Sequence, residues 1–169
     1  MNWKDYPVVF GAYQGRSFFP SRLIRWFTDS KYSHIAIYRQ DRPDYGQVVE
    51  AWPDHGVEAV RSFDQNHKDK TKVELFAFRD QPRPDRVEHA NNWLDQQIGK
   101  AYDWRGVIRF LMRARNRPDE NWFCSELAQA YSMELGSPVV IKPPYKVAPC
   151  DIPQSTILVK VGELTTRKA

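Results

Sequence analysis

A thiol, an imidazole and a carboxylate are the side chains in this sequence whose types and surroundings suit nucleophilic chemistry. Cys124, in Asn121-Trp122-Phe123-Cys124-Ser125-Glu126-Leu127, falls in the first turn of a segment that reads as a helix from about Phe123 to Leu135. Unpaired N–H groups and the dipole at a helix N-terminus favour a thiolate there, and the same N–H groups can hold the oxyanion of a tetrahedral intermediate. Most free cysteines are simply small buried hydrophobes, so the thiol counts only with a base beside it. His34, in Tyr32-Ser33-His34-Ile35-Ala36-Ile37-Tyr38, opens a strand whose alternation puts His34, Ala36 and Tyr38 on one face. Glu50, in Gln47-Val48-Val49-Glu50-Ala51-Trp52, lies near the end of the next strand.

Pairing of these two strands would bring base and acid together. In a hairpin centred on the Asp41 to Tyr45 turn, with Tyr38 opposite Gly46 and Ala36 opposite Val48, His34 stands opposite Glu50. Directly opposed residues have Cβ atoms about 5 Å apart, close enough for an imidazole–carboxylate hydrogen bond. A slip of one residue would send the two side chains to opposite faces. In the expected register Glu50 sets the tautomer of His34 and steadies its imidazolium, leaving the other ring nitrogen to take a proton from a thiol.

The elements that must position these groups follow from the periodicity. Val8 to Tyr13 reads as a strand, and Ser21 to Thr28 as a short helix behind a serine cap. Ser33 to Arg39, Gln47 to Ala51, Val57 to Arg61 and Lys72 to Phe78 are rich in Val, Ile, Tyr and Phe and are separated by Asp, Pro, Gly and Asn clusters, which predicts an antiparallel sheet. After the Pro-rich connection Arg79 to Pro84, a helix carries Val87, Ala90, Leu94 and Ile98 in one stripe and stops at Gly99. Asp103 caps a further helix, in which Arg105, Arg109 and Arg113 stack at spacing four, and Thr156 to Val161 reads as a closing strand. Strands and helices segregate, so the expected class is α+β in a single domain over residues 1–169, with the antiparallel sheet or half-barrel packed against a helical part that carries the cysteine.

The order and spacing of these motifs resembles the circularly permuted papain-like cysteine amidases related to the NlpC-type cell-wall hydrolases. The likeness rests on the opening strand, on Thr28-Asp29-Ser30-Lys31-Tyr32-Ser33-His34-Ile35-Ala36-Ile37-Tyr38, on Val49-Glu50-Ala51-Trp52 with Gly56-Val57, and on Ile98-Gly99-Lys100-Ala101-Tyr102-Asp103-Trp104. It continues through Trp122-Phe123-Cys124-Ser125-Glu126-Leu127 to Pro149-Cys150-Asp151-Ile152, and so spans nearly the whole chain. In the permuted family the histidine strand precedes the cysteine helix, as here. The resemblance implies a permuted papain-like fold, Cys124 as nucleophile, His34 as general base and then acid, and Glu50 as the orienting residue. It implies substrates bearing amide or ester bonds, either cell-wall peptides or N-acyl and lipid-like amides. A thiol-dependent lipid acyltransferase or esterase of related fold, and a non-catalytic binding module in a phage particle or secretion system, are the alternatives.

Other residues offer less. No Gly-x-Ser-x-Gly elbow surrounds Ser125. His55, His67 and His89 fall in loop-like or exposed helical contexts, and no His-Glu-x-x-His or Cys-x-x-Cys spacing occurs, so neither a metal nor another cofactor is expected. Trp52 and Trp122 flank the catalytic candidates and, with Tyr32 and Ser33, are expected to line a substrate cleft. The arginines from Arg105 to Arg117 are expected to form a solvated helix face and basic loop, with an anionic surface as the competing reading.

Composition narrows the classes. The 169 residues are 41% hydrophobic, enough for one core, and the net charge of +4 is too small and dispersed to demand nucleic acid. Two cysteines, Cys124 and Cys150, exclude a disulfide scaffold. Mean hydropathy is −0.66 and no run of about eighteen apolar residues occurs, so no membrane span is expected. Met1 to Asp5 lacks the apolar core of a secretory signal, which makes the cytoplasm the default location, with delivery by lysis or an injection machine compatible with the same sequence.

Overall fold

Branched and aromatic residues at alternate positions build β1 (Val8–Tyr13), β2 (His34–Arg39), β3 (Val48–Trp52), β4 (Gly56–Val60), β5 (Lys72–Phe78) and β6 (Leu158–Thr165). These elements come from a computed structural model, which describes residues 2–15, 30–43, 46–103 and 121–167. The strands form one sheet in the order β4-β3-β2-β1-β5-β6, with every neighbouring pair antiparallel. Among the described residues two α-helices, α1 (Pro84–Asp95) and α2 (Cys124–Glu134), complete an α+β arrangement. Among the described residues no helix is long and apolar enough to cross a membrane.

Strand alternation divides the core in two. Phe10, Ala12, Ile35, Ile37, Val49 and Ala51 face the helices and meet Val87, Ala90 and Leu94 of α1 and Leu127, Ala128 and Tyr131 of α2. Val9, Tyr13, Ala36, Tyr38, Val48 and Leu75 face the other way, where Phe63 covers them. At Gly11 a Cβ would come within 2.5 Å of the Phe63 ring, so the glycine makes room for that cover. Burial on both faces explains why β1 and β2 are buried at every residue in spite of their period of two.

Elements and expectation agree most closely where the pattern is densest, at β1 and β5. The final strand extends to Thr165, well beyond Val161, because its residues continue the ladder with β5 across a bulge at Leu75/Phe76. Helix α1 ends at Asp95, leaving Ile98 38% exposed and outside the apolar stripe, and Gly99 follows at φ +89°. The helices expected at Ser21 to Thr28 and after Asp103, with the arginine cluster, lie outside the described residues.

The β2–β3 register differs from the expected one by two residues. Tyr38 pairs with Val48 and Ala36 with Glu50, so the partner of Glu50 is Ala36 and not His34. Gly46, at φ +88°, stays in the connection, and the Arg39 N–H donates to the Gln47 carbonyl at 2.7 Å. An even shift keeps every side chain on its face, so His34 and Glu50 remain on the same side as diagonal neighbours.

Candidate active site

Backbone hydrogen bonds carry the cysteine to the end of the sheet. The Gly99 N–H donates to the Val57 carbonyl and the Val57 N–H to Lys100, both at 2.8 Å, which pins the segment after α1 along β4. That segment in turn binds the stretch before α2: the Trp122 N–H donates to Ala101 at 3.2 Å and the Asp103 N–H to Trp122 at 3.1 Å, with Tyr102 and Trp122 in a parallel bridge. Phe123 is extended and caps α2 without a side-chain hydrogen bond, so Cys124 is the first residue of the helix. Its thiol is 3% exposed, forms no disulfide, and lies within hydrogen-bonding reach of the His34 side chain.

His34 faces Glu50 with its other edge. The Nε2–H donates to Glu50 Oε2 at 2.8 Å, which leaves Nδ1 as the nitrogen for the thiol. Burial alone would lower the basicity of His34, but its electrostatic and hydrogen-bonding interactions with Cys124 and then Glu50 outweigh it and hold the imidazole well above its ordinary range. The Glu50 side chain is wholly buried, which would raise its pKa, yet hydrogen bonds from His34 and His67 drive it well below the usual carboxylate range. Tyr102, partly buried near Cys124 and Asp103, has its phenol pushed well above normal, first by the loss of solvent around it and then by its electrostatic interactions with those two residues.

Two residues join this site that the sequence did not single out for it. His67, expected in a loop-like context with no role, is buried: its Nε2–H donates to Glu50 Oε2 at 2.9 Å, and its ring stacks on Tyr13 at 3.7 Å. Asn66 donates through Nδ2 to Glu50 Oε1 at 3.1 Å and to Glu58 Oε1 at 2.6 Å. Asn66 adopts φ +66°, a conformation that Asn tolerates better than most residues and that lets two successive side chains turn toward Glu50. Sixteen residues separate Asn66 from Glu50, and the Asn-His pair carries no motif; positive-φ tolerance is the only local signal. Although no metal-ligand spacing appears in the sequence, the His34, Glu50 and His67 donor atoms fall within 4.8 Å of one another.

The expected cleft residues divide. Trp52 packs edge-on against His34 at 5.3 Å and against His67 at 4.9 Å, at the site itself. Trp122 turns to α1, with its ring 5.7 Å from Trp93 and its Nε1–H donating to Gln97 Oε1 at 3.2 Å. The Tyr32 hydroxyl donates to Glu74, on the face of the sheet that carries the helices, and the Ser33 hydroxyl points at the Tyr13 and Gly15 carbonyls. Ser125 is fully buried and donates to the Val147 carbonyl at 2.6 Å, a structural contact. His55 and His89 stand apart and exposed, His89 against Glu134.

Comparison with protein-family models finds no match to this chain, and comparison with curated proteins finds none either.

Proposed function

We propose that this protein is a cysteine amidohydrolase of the permuted papain-like class, working through an acyl-enzyme with Cys124 as nucleophile, His34 as general base and acid, and Glu50 as the orienting carboxylate. The observation that carries the reading is the convergence of Cys124, at the first residue of α2, on a buried His34 whose far nitrogen is held by Glu50. The thiolate attacks the carbonyl carbon of an amide, and backbone N–H groups of the first turn of α2 receive the developing oxyanion. Collapse of the tetrahedral intermediate breaks the C–N bond, with the His34 proton passing to the departing amine. Water, deprotonated by His34, then attacks the thioester and releases the acid, returning the thiol.

Amide bonds of cell-wall peptides and N-acyl amides are the substrate classes on which to test it, starting with a panel of short peptidoglycan peptides and acyl anilides. Cys124→Ala should abolish turnover with the fold intact. On a Cys150→Ser background, iodoacetamide should label Cys124 rapidly, and His34→Ala should slow that labelling at least tenfold at neutral pH. Labelling at the same rate in both proteins, with no hydrolysis of any panel member, would replace the enzyme reading with that of a binding module.

A further inference from the structure

On the edge of the triad away from the thiol, one carboxylate oxygen meets two imidazoles. His34 Nε2 and His67 Nε2 stand 2.8 and 2.9 Å from the same Glu50 Oε2. Two imidazole nitrogens and a carboxylate oxygen suit zinc and similar first-row dications, whereas calcium and magnesium seek oxygen shells. Each donor is supported from behind. Tyr13 stacks on His67 and meets His34 edge-on at 5.3 Å, Trp52 packs on both rings, and Asn66 holds the second oxygen of Glu50. Outer contacts of this kind fix ligand orientation before a metal arrives. His67 and Asn66 also line a cleft of about 540 Å³ that opens to solvent beside Arg61, Lys68 and Arg167, which makes His67 the donor an entering ion meets first.

We propose that His34, Glu50 and His67 form a binding site for a zinc-class divalent cation, entered from the Asn66–His67 cleft. Metal–ligand bonds of about 2.0–2.1 Å in a tetrahedral site put neighbouring donor atoms about 3.3 Å apart, so the present contacts must open by about half an ångström. On seating, His34 loses its Nε2 proton to solvent and His67 moves its proton from Nε2 to Nδ1. The basic residues at the cleft mouth oppose the ion's approach, and the Glu50 charge together with Glu58 and Asp64 nearby offsets them. With Nε2 on the metal, His34 keeps its proton on Nδ1, facing the thiol, and can no longer accept one. The cation is therefore an inhibitor if the site is the hydrolase proposed above; the binding itself does not rest on that reading.

The test is Zn²⁺ binding by the full chain, in competition with a chromogenic chelator, in the wild type, Cys124→Ala and His67→Gln, with Mg²⁺ as comparison. One ion per chain is expected, with affinity in Cys124→Ala no weaker than in the wild type, since His34 gives up its proton more readily there, at least tenfold weaker affinity in His67→Gln, and no binding of Mg²⁺. Co²⁺ loaded into the wild type should show ligand-field bands without a thiolate charge-transfer band, a readout that needs no variant to fold. Wild-type affinity in His67→Gln would remove His67 from the ligand set, and loss of binding in Cys124→Ala or a thiolate band would place the ion on the cysteine; any of these would overturn the proposal. Absence of zinc binding by the wild type would overturn it as well, and would leave the alkylation result for Cys124 and His34 untouched.

Discussion

At the residue scale, the protonation of His34 links its two neighbours. Burial disfavours its charged form, so the imidazolium persists only because Cys124 on one side and Glu50 on the other favour it. A folded-state pKa raised above the unfolded value contributes stability that is complete below about pH 6.5 and is lost as pH rises through the raised value. NMR of the ring nitrogens should therefore find His34 protonated throughout the neutral range in the wild type. In Cys124→Ala its titration should move down by more than one pH unit, because the larger of the two raising influences is gone. An unchanged titration in that variant would mean that Glu50 alone governs the ring. His67 behaves oppositely: burial dominates and holds its pKa below normal, in keeping with a neutral ring that donates to Glu50.

At the element scale, the site depends on how three segments are laced together at the edge of the sheet. Gly56 begins β4 at φ +74°, and a Cβ there would lie 2.2 Å from the Lys100 carbonyl oxygen that receives the Val57 N–H. Gly56→Ala therefore adds backbone strain and also pries the segment after α1 away from β4, the first link in the chain of bonds that ends at Cys124. We expect a loss of more than ~1 kcal/mol in stability and slower alkylation of the thiol in the protein that remains folded. Gly99→Ala is the control, since Gly99 shares the positive φ but no atom lies within 4 Å of its added Cβ. It should cost about 1 kcal/mol in strain with the thiol rate unchanged. Equal thiol rates in the two folded variants would show that the lacing does not position the cysteine.

Across the whole molecule, Glu74 joins parts of the chain that are remote in sequence. From β5 it receives the Tyr32 hydroxyl, Lys31 at 2.9 Å and Lys160 of β6 at 3.0 Å. Burial would raise its pKa, but these donors bring it down to about 2. A carboxylate depressed in the folded state contributes stability above its unfolded value of about 4.3, and that contribution is lost as pH falls toward 2. Urea midpoints measured from pH 6 to pH 2 should fall steeply in the wild type and less steeply in Glu74→Gln, where Glu50 and the exposed Glu163 still supply the same sign of dependence. Identical slopes would remove Glu74 from the account of acid stability. On the other side of the sheet-helix seam, buried Arg39 of β2 reaches Asp95 of α1 at 2.5 Å, while Asn91 of α1 binds Asp41 at 2.6 Å and the Tyr131 hydroxyl of α2 at 2.7 Å, so both helices are tied together over the sheet.

Local pattern alone determined the strands, the two described helices and the α+β class, because the periods of two and 3.6 are properties of neighbouring residues. It also determined that Cys124 lies in the first turn of a helix and that His34 and Glu50 share a face, since face depends only on parity and survived a register shift of two. The shift itself was decided by the sheet: a hairpin turn of several residues accommodates more than one register, and packing selects among those that keep the apolar residues inside. The contact of Cys124 with His34 needed the bonds from β4 through residues 99–103 to 121–123, none of which a one-dimensional pattern encodes. The same holds for Asn66 and His67. Their loop is polar and irregular in sequence, and only the fold turns it inward, where a buried carboxylate with unfilled acceptor sites rewards every donor that can reach it.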